Sequence, residues 1–106
     1  MSKREILDNA AKSIDAKLVW SSAPDLAPRI EGSNELFNPL SDDAMAFRLQ
    51  VANNIELGFI GHGQFASAKL GNIHELEKVE DHGDKRAAGR AAIVKVAAER
   101  GKSIID

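Results

Sequence analysis

Two adjacent carboxylates, Asp42 and Asp43, stand out in this 106-residue chain, in the segment FNPLSDDAMAFRL (37–49). A carboxylate pair held close can divide acid and base duties between its members. With the imidazole of His62, they would make a small hydrolytic or ligand-binding group. The chain has three histidines, His62, His74 and His82, and no cysteine, so thiolate chemistry and disulfides are excluded. No histidine pair has the i, i+4 spacing of a helical metal site, and HExxH is absent, so the expectation is surface histidines and no metal. Gly61-His62-Gly63 fails as a dinucleotide fingerprint, because Ala66 stands at the third glycine position. GxSxG and SxxK are also absent. No cofactor is expected.

What the acidic pair does depends on the element that carries it. Ser41 is a good N-cap, and Asp42 and Asp43 would then occupy a first helical turn, where the helix dipole favours negative charge. Leu40 can staple to Met45. Behind them, Ala44, Phe47 and Val51 form one apolar stripe, and Met45, Leu49 and Ala52 a second. The spacing predicts a helix over 42–53, ending at Asn53-Asn54. On this reading Ser41, Asp42 and Asp43 start a helix, and no reaction centre is needed to explain them.

Similar signals order the rest of the chain. Ser2-Lys3-Arg4-Glu5 reads as a capping box before Ile6, Ala10 and Ile14, predicting a helix over 3–15. Residues 17–21 and 29–31 read as short strands around a loop containing Pro24 and Pro28. Residues 55–59 and 65–70 alternate and flank a glycine turn, a hairpin signal. Residues 73–79 add a strand with poor alternation. Gly83-Asp84 opens a last helix that would stop with Gly101 as its C′ residue. The expected fold is one α+β domain over 1–106: a single antiparallel or mixed sheet sandwiched by helices, in the order α-β-β-α-β-β-β-α.

The last helix carries the other candidate surface. Arg86, Arg90 and Arg100 fall on one stripe with Ile93 and Ala97. A small-residue flank (Ala87, Ala91, Val94, Ala98) and a second flank (Gly89, Ala92, Val96) lie to either side. Two apolar flanks exceed what one sheet contact requires. The second packs on a neighbouring helix of the same domain, or it forms a partner or dimer surface that includes Arg86, Arg90, Ile93, Val96 and Arg100. The arginines also allow a nucleic-acid reading, which Asp81 and Asp84 oppose by repelling phosphate.

Composition sets the limits. Fourteen basic and 16 acidic residues leave a net charge of −2, so no global basic field draws nucleic acid. The N-terminus MSKREILDNAAKSIDAK lacks the apolar core of a signal peptide, and no window approaches the roughly 20 apolar residues of a membrane helix. A cytoplasmic protein is expected.

Two segments, FNPLSDDAMAFRLQVANNIEL (37–57) and DHGDKRAAGRAAIVKVAAERGKSI (81–104), with the start REILDNAAKSIDAKLVW, resemble the phage ABA sandwich domain family. The NPL-[ST]-DD pattern is the most specific part. The resemblance implies an α/β/α sandwich and a bacteriophage or prophage setting in a host bacterial cytoplasm. It implies no catalytic residue. Asn38, Pro39, Asp42, Asp43 and Arg48 fill its matched segment. The expectation is a non-enzymatic binding protein, directed at a host factor or assembling with itself through the last helix, with nucleic-acid binding through that helix as the alternative.

Overall fold

Helix α1 (Lys3–Lys12) opens on Ser2, whose hydroxyl accepts from the Glu5 amide and donates to the Glu5 carboxylate. The computed structural model describes residues 1–23 and 26–104; Pro24, expected in a loop, lies outside the described residues. α1 ends earlier than its periodicity suggests. The Ser13 hydroxyl donates to the Ala10 carbonyl at 2.6 Å, and the chain turns at Asp15 with φ of 59°.

Strands β1 (Leu18–Val19) and β2 (Arg29–Ile30) pair antiparallel as a small sheet of their own. It is tied to α1 through Trp20, whose indole Nε1 donates to Asp8 Oδ1 at 2.7 Å. Arg4 lies over the same ring, 4.9 Å from its centroid. Helix α2 (Asp43–Asn53) follows and ends at Asn54, which takes the left-handed conformation with φ of 58°. Strands β3 (Glu56–Ile60), β4 (Phe65–Leu70) and β5 (Ile73–Lys78) form a second antiparallel sheet in that order. A one-turn helix α3 (Val79–His82), which the sequence did not suggest, leads into α4 (Lys85–Lys102).

The class is α+β: four helices and two small antiparallel sheets among the described residues. The strands thus divide between two sheets, where a single sheet was expected. α4 is the centre of the packing. Its Gly89 faces Leu57 and Phe59 of β3, and the helix lies over the Ala66 and Ala68 face of the larger sheet. α1 and α2 pack on α4 as well. The core therefore gathers Leu7, Ala10, Met45, Leu49, Ala66, Ala68, Val94 and Val96 around one helix, with Phe37 closing it from the loop before α2.

Gly101 corrects the expected end of α4. It is helical and buried, and the helix continues to Lys102 with Ser103 as its cap. A Cβ at Gly101 would overlap the Asn9 carbonyl of α1. Glycine is here for close approach between two backbones, not for a left-handed stop.

Candidate functional site

The acidic pair divides its work between two structural tasks. Asp42, not Ser41, is the N-cap of α2: its backbone is extended, and its carboxylate accepts from the Ala44 amide at 3.0 Å. Ser41 instead donates its hydroxyl to the Asn38 carbonyl at 3.3 Å, within the turn built on Pro39. The turn at Asn38–Ser41 orients the Ser41 hydroxyl back toward Asn38, and the Asp42 carboxylate takes the helix amide one residue on.

Asp43, in the first turn, reaches α4. Arg90 Nη1 lies 2.6 Å from its Oδ1 and Arg86 Nη2 lies 3.1 Å from its Oδ2. Arg90 also donates from Nε to the Leu40 carbonyl at 2.9 Å, which ties the guanidinium to the loop before α2 as well as to the carboxylate. The hydrogen bond from Arg90, helped by the positive charges of Arg86 and Arg90, holds the Asp43 carboxyl below its usual 3.8. Asp43 is an ionised latch between α2 and α4.

That latch also settles where the arginine stripe goes. Arg86 and Arg90 are turned onto Asp43, and Arg90 is largely covered, with 18% of its side chain exposed. Ile93 and Val96 are buried in the core, so they do not belong to an exposed partner surface. Of the five, Arg100 in the last turn of α4 and Arg86 are exposed, Arg86 while paired with Asp43. Both apolar flanks of α4 are consumed inside the chain, by the sheet on one side and by α1 and α2 on the other.

The histidines do not converge with the acidic pair. His62 is exposed in the β3–β4 turn, in left-handed backbone with φ of 59°. His74 sits on β5 with Nε2 2.8 Å from the Ser67 hydroxyl of β4. That hydroxyl–imidazole pair lies on the sheet face turned away from α4, with His74 exposed. His82 is no free loop residue. It closes α3, and its Nε2 lies 2.8 Å from Glu77 Oε1, while Lys95 Nζ lies 2.8 Å from Glu77 Oε2. Glu77 is thus a second latch, binding β5 to α3 and α4. Its signal in the sequence was the poor alternation of 73–79: Glu75 and Glu77 share the inward face with Ala68 and Ala66. Among the described residues no group of three or more His, Asp or Glu side chains is gathered for a metal ion.

One sequence-predicted stripe remains. Met45 and Leu49 face the core, but Phe47 and Val51 do not: they are 62% and 59% exposed, with exposed Ala44 on the same side. Arg48 borders them, paired with Glu35 at 2.8 Å. The Ala44, Phe47 and Val51 stripe is an open apolar face. Comparison of the chain with protein-family models, curated proteins and solved structures found no match in any of the three.

Proposed function

We propose that this chain is a non-enzymatic interaction protein that contacts a protein partner through the Ala44, Phe47 and Val51 face of α2. The observation that carries this reading is the exposure of Phe47 and Val51 side by side, one turn apart on a well-anchored helix. The charged groups that would do chemistry are otherwise engaged: Asp42 in a cap, Asp43 with Arg86 and Arg90, Glu77 with His82 and Lys95. The nucleic-acid reading is weaker, because two of its three arginines share an ion pair with Asp43, which removes half of their combined charge. The resemblance of residues 37–57 and 81–104 to small phage proteins supports a bacteriophage or prophage setting, with a host cytoplasmic protein as the partner. No helix among the described residues is long and apolar enough to cross a membrane.

Affinity capture from bacterial lysate tests this, run in parallel with the parent and with the double variant Phe47→Glu, Val51→Glu. The reading expects a protein retained by the parent and lost from the variant. Retention that is equal for both, or absent for both, counts against it.

A further inference from the structure

The larger sheet has two edges, and they differ in chemistry. β5 is defended: Glu75, Glu77 and Lys78 follow one another at intervals of one or two residues. If β5 paired antiparallel with a second β5 about Leu76, Glu75 would stand opposite Glu77 of the second copy, and like charges directly opposite are unfavourable. β3 has a single charge, Glu56, at its first residue. Its five residues, Glu56-Leu57-Gly58-Phe59-Ile60, contain no proline and no lysine, and they pair with β4 in an unbroken register without a bulge. Its other side is unpaired among the described residues, and every residue but Leu57 is exposed.

β3 also overhangs the helix that covers the sheet. Leu57 and Phe59 point to the α4 side, where they meet Gly89 and where Lys85 Nζ lies 5.7 Å from the Phe59 ring centroid, yet Phe59 remains 41% exposed with Ile60 at 47%. A strand with open backbone groups and apolar residues at its rim accepts another extended strand.

We infer that the β3 edge pairs antiparallel with β3 of a second copy of this chain, about a two-fold axis through Gly58, joining two three-stranded sheets into one of six. The charge pattern selects this occupant and this register. Glu56 comes opposite Ile60 of the second copy, so no like charges meet; a parallel pairing in register would set Glu56 against Glu56. Leu57 comes opposite Phe59, a favourable aliphatic–aromatic pair on the helix side. Gly58 comes opposite Gly58, where no side chain obstructs the axis. The contact is isologous and closes on itself, so it ends at a dimer. A five-residue edge is small beside the roughly 1,600 Å² of a standard interface, so the dimer is reversible and fills at high protein concentration. This inference does not depend on the partner proposed for α2.

The absence of cysteine from the chain allows a direct test. Gly58 has open space around a Cβ and no positive φ, so Gly58→Cys fits the strand. On the two-fold axis the two Cα atoms would stand about 4.5–5.5 Å apart, within disulfide range. Mild oxidation of Gly58→Cys should give a crosslinked dimer far faster than Leu76→Cys, its counterpart in the middle of β5. Sedimentation velocity of the parent from micromolar to millimolar concentration should show a reversible monomer–dimer equilibrium. Ile60→Glu, which sets carboxylates opposite Glu56 twice by symmetry, should weaken it about tenfold, and adding Glu56→Lys should restore it. Phe47→Glu should leave it unchanged. A parent that stays monomeric at millimolar concentration overturns the inference. So does equal crosslinking of the two cysteine variants, or a dimer lost on changing Phe47 but not Ile60.

Discussion

α1 and α2 are both fastened to α4, but by opposite means. α1 approaches so closely at Gly101 that its Asn9 carbonyl occupies the space a side chain would need, and buried Ala10, Ala11, Ala97 and Ala98 give the seam its small-residue character. α2 is held by Met45 and Leu49 underneath and by the Asp43–Arg90–Arg86 latch at its start. The first attachment is a matter of shape and tolerates almost no change. The second is a matter of charge and direction, and it can lose one member and still close. The difference explains why α2 can present an open apolar face: the latch fixes its start without covering its outer side.

The comparison can be broken most easily at α1. Gly101→Ala forces the Asn9 backbone away, and overpacking of this kind usually costs about 1–3 kcal/mol; with a backbone carbonyl as the obstacle, we expect about 3 kcal/mol or more in a urea melt, despite the higher helix propensity of alanine. A variant as stable as the parent would mean that the two helices are not in backbone contact. Arg90→Ala attacks the other attachment. It removes the hydrogen bonds to Asp43 and to the Leu40 carbonyl and should cost about 1–3 kcal/mol by the same melt. A cost above that of Gly101→Ala would reverse our ranking of the two attachments.

Smaller effects sharpen the account of the helix start. Asp42→Ala loses the cap and should cost about 0.5–2 kcal/mol, whereas Asp42→Asn, which caps as well, should cost little. Ser41→Ala removes only a turn hydrogen bond of 3.3 Å and should stay within about 0.5 kcal/mol. If Ser41→Ala proves the costlier of the two alanine variants, Ser41 caps after all.

How much of this was legible in the sequence follows from how local each signal is. The hairpin of β3 and β4 was readable because alternation and a glycine turn are local, and the short strands at 18–19 and 29–30 were found for the same reason. The N-cap was misplaced by one residue because Ser41 and Asp42 are both good caps; the backbone turn places Asp42, extended and accepting from the Ala44 amide, at the cap position. Gly101 looked like a helix stop because its real neighbour, Asn9, is 92 residues away in the chain and close only in space. Which of the two apolar stripes of α2 would be covered was not legible, because hydropathy does not tell which face of a helix the fold will bury. The arginine stripe looked free because its counter-ion, Asp43, had been given a different task. For Gly101 and the arginine stripe, a contact between distant segments overrode a sound local rule.

The central claim is that Asp43 is a structural latch and not one half of a reaction centre. The most direct test is the difference in unfolding free energy between the parent and Asp43→Asn, measured by denaturant melts across pH. The folded protein holds this carboxyl below its usual 3.8, chiefly through the Arg90 hydrogen bond. A depressed folded value means that the charged latch stabilises the fold fully above the unfolded value, and that this contribution is lost as pH falls through the folded one. The account therefore predicts that Asp43→Asn is the less stable protein at neutral pH, and that the gap closes below about pH 3.8 as the parent's carboxyl takes up its proton. A variant equal to or more stable than the parent at neutral pH, with a gap that does not close in acid, would contradict it and would show two carboxylates held together against their repulsion.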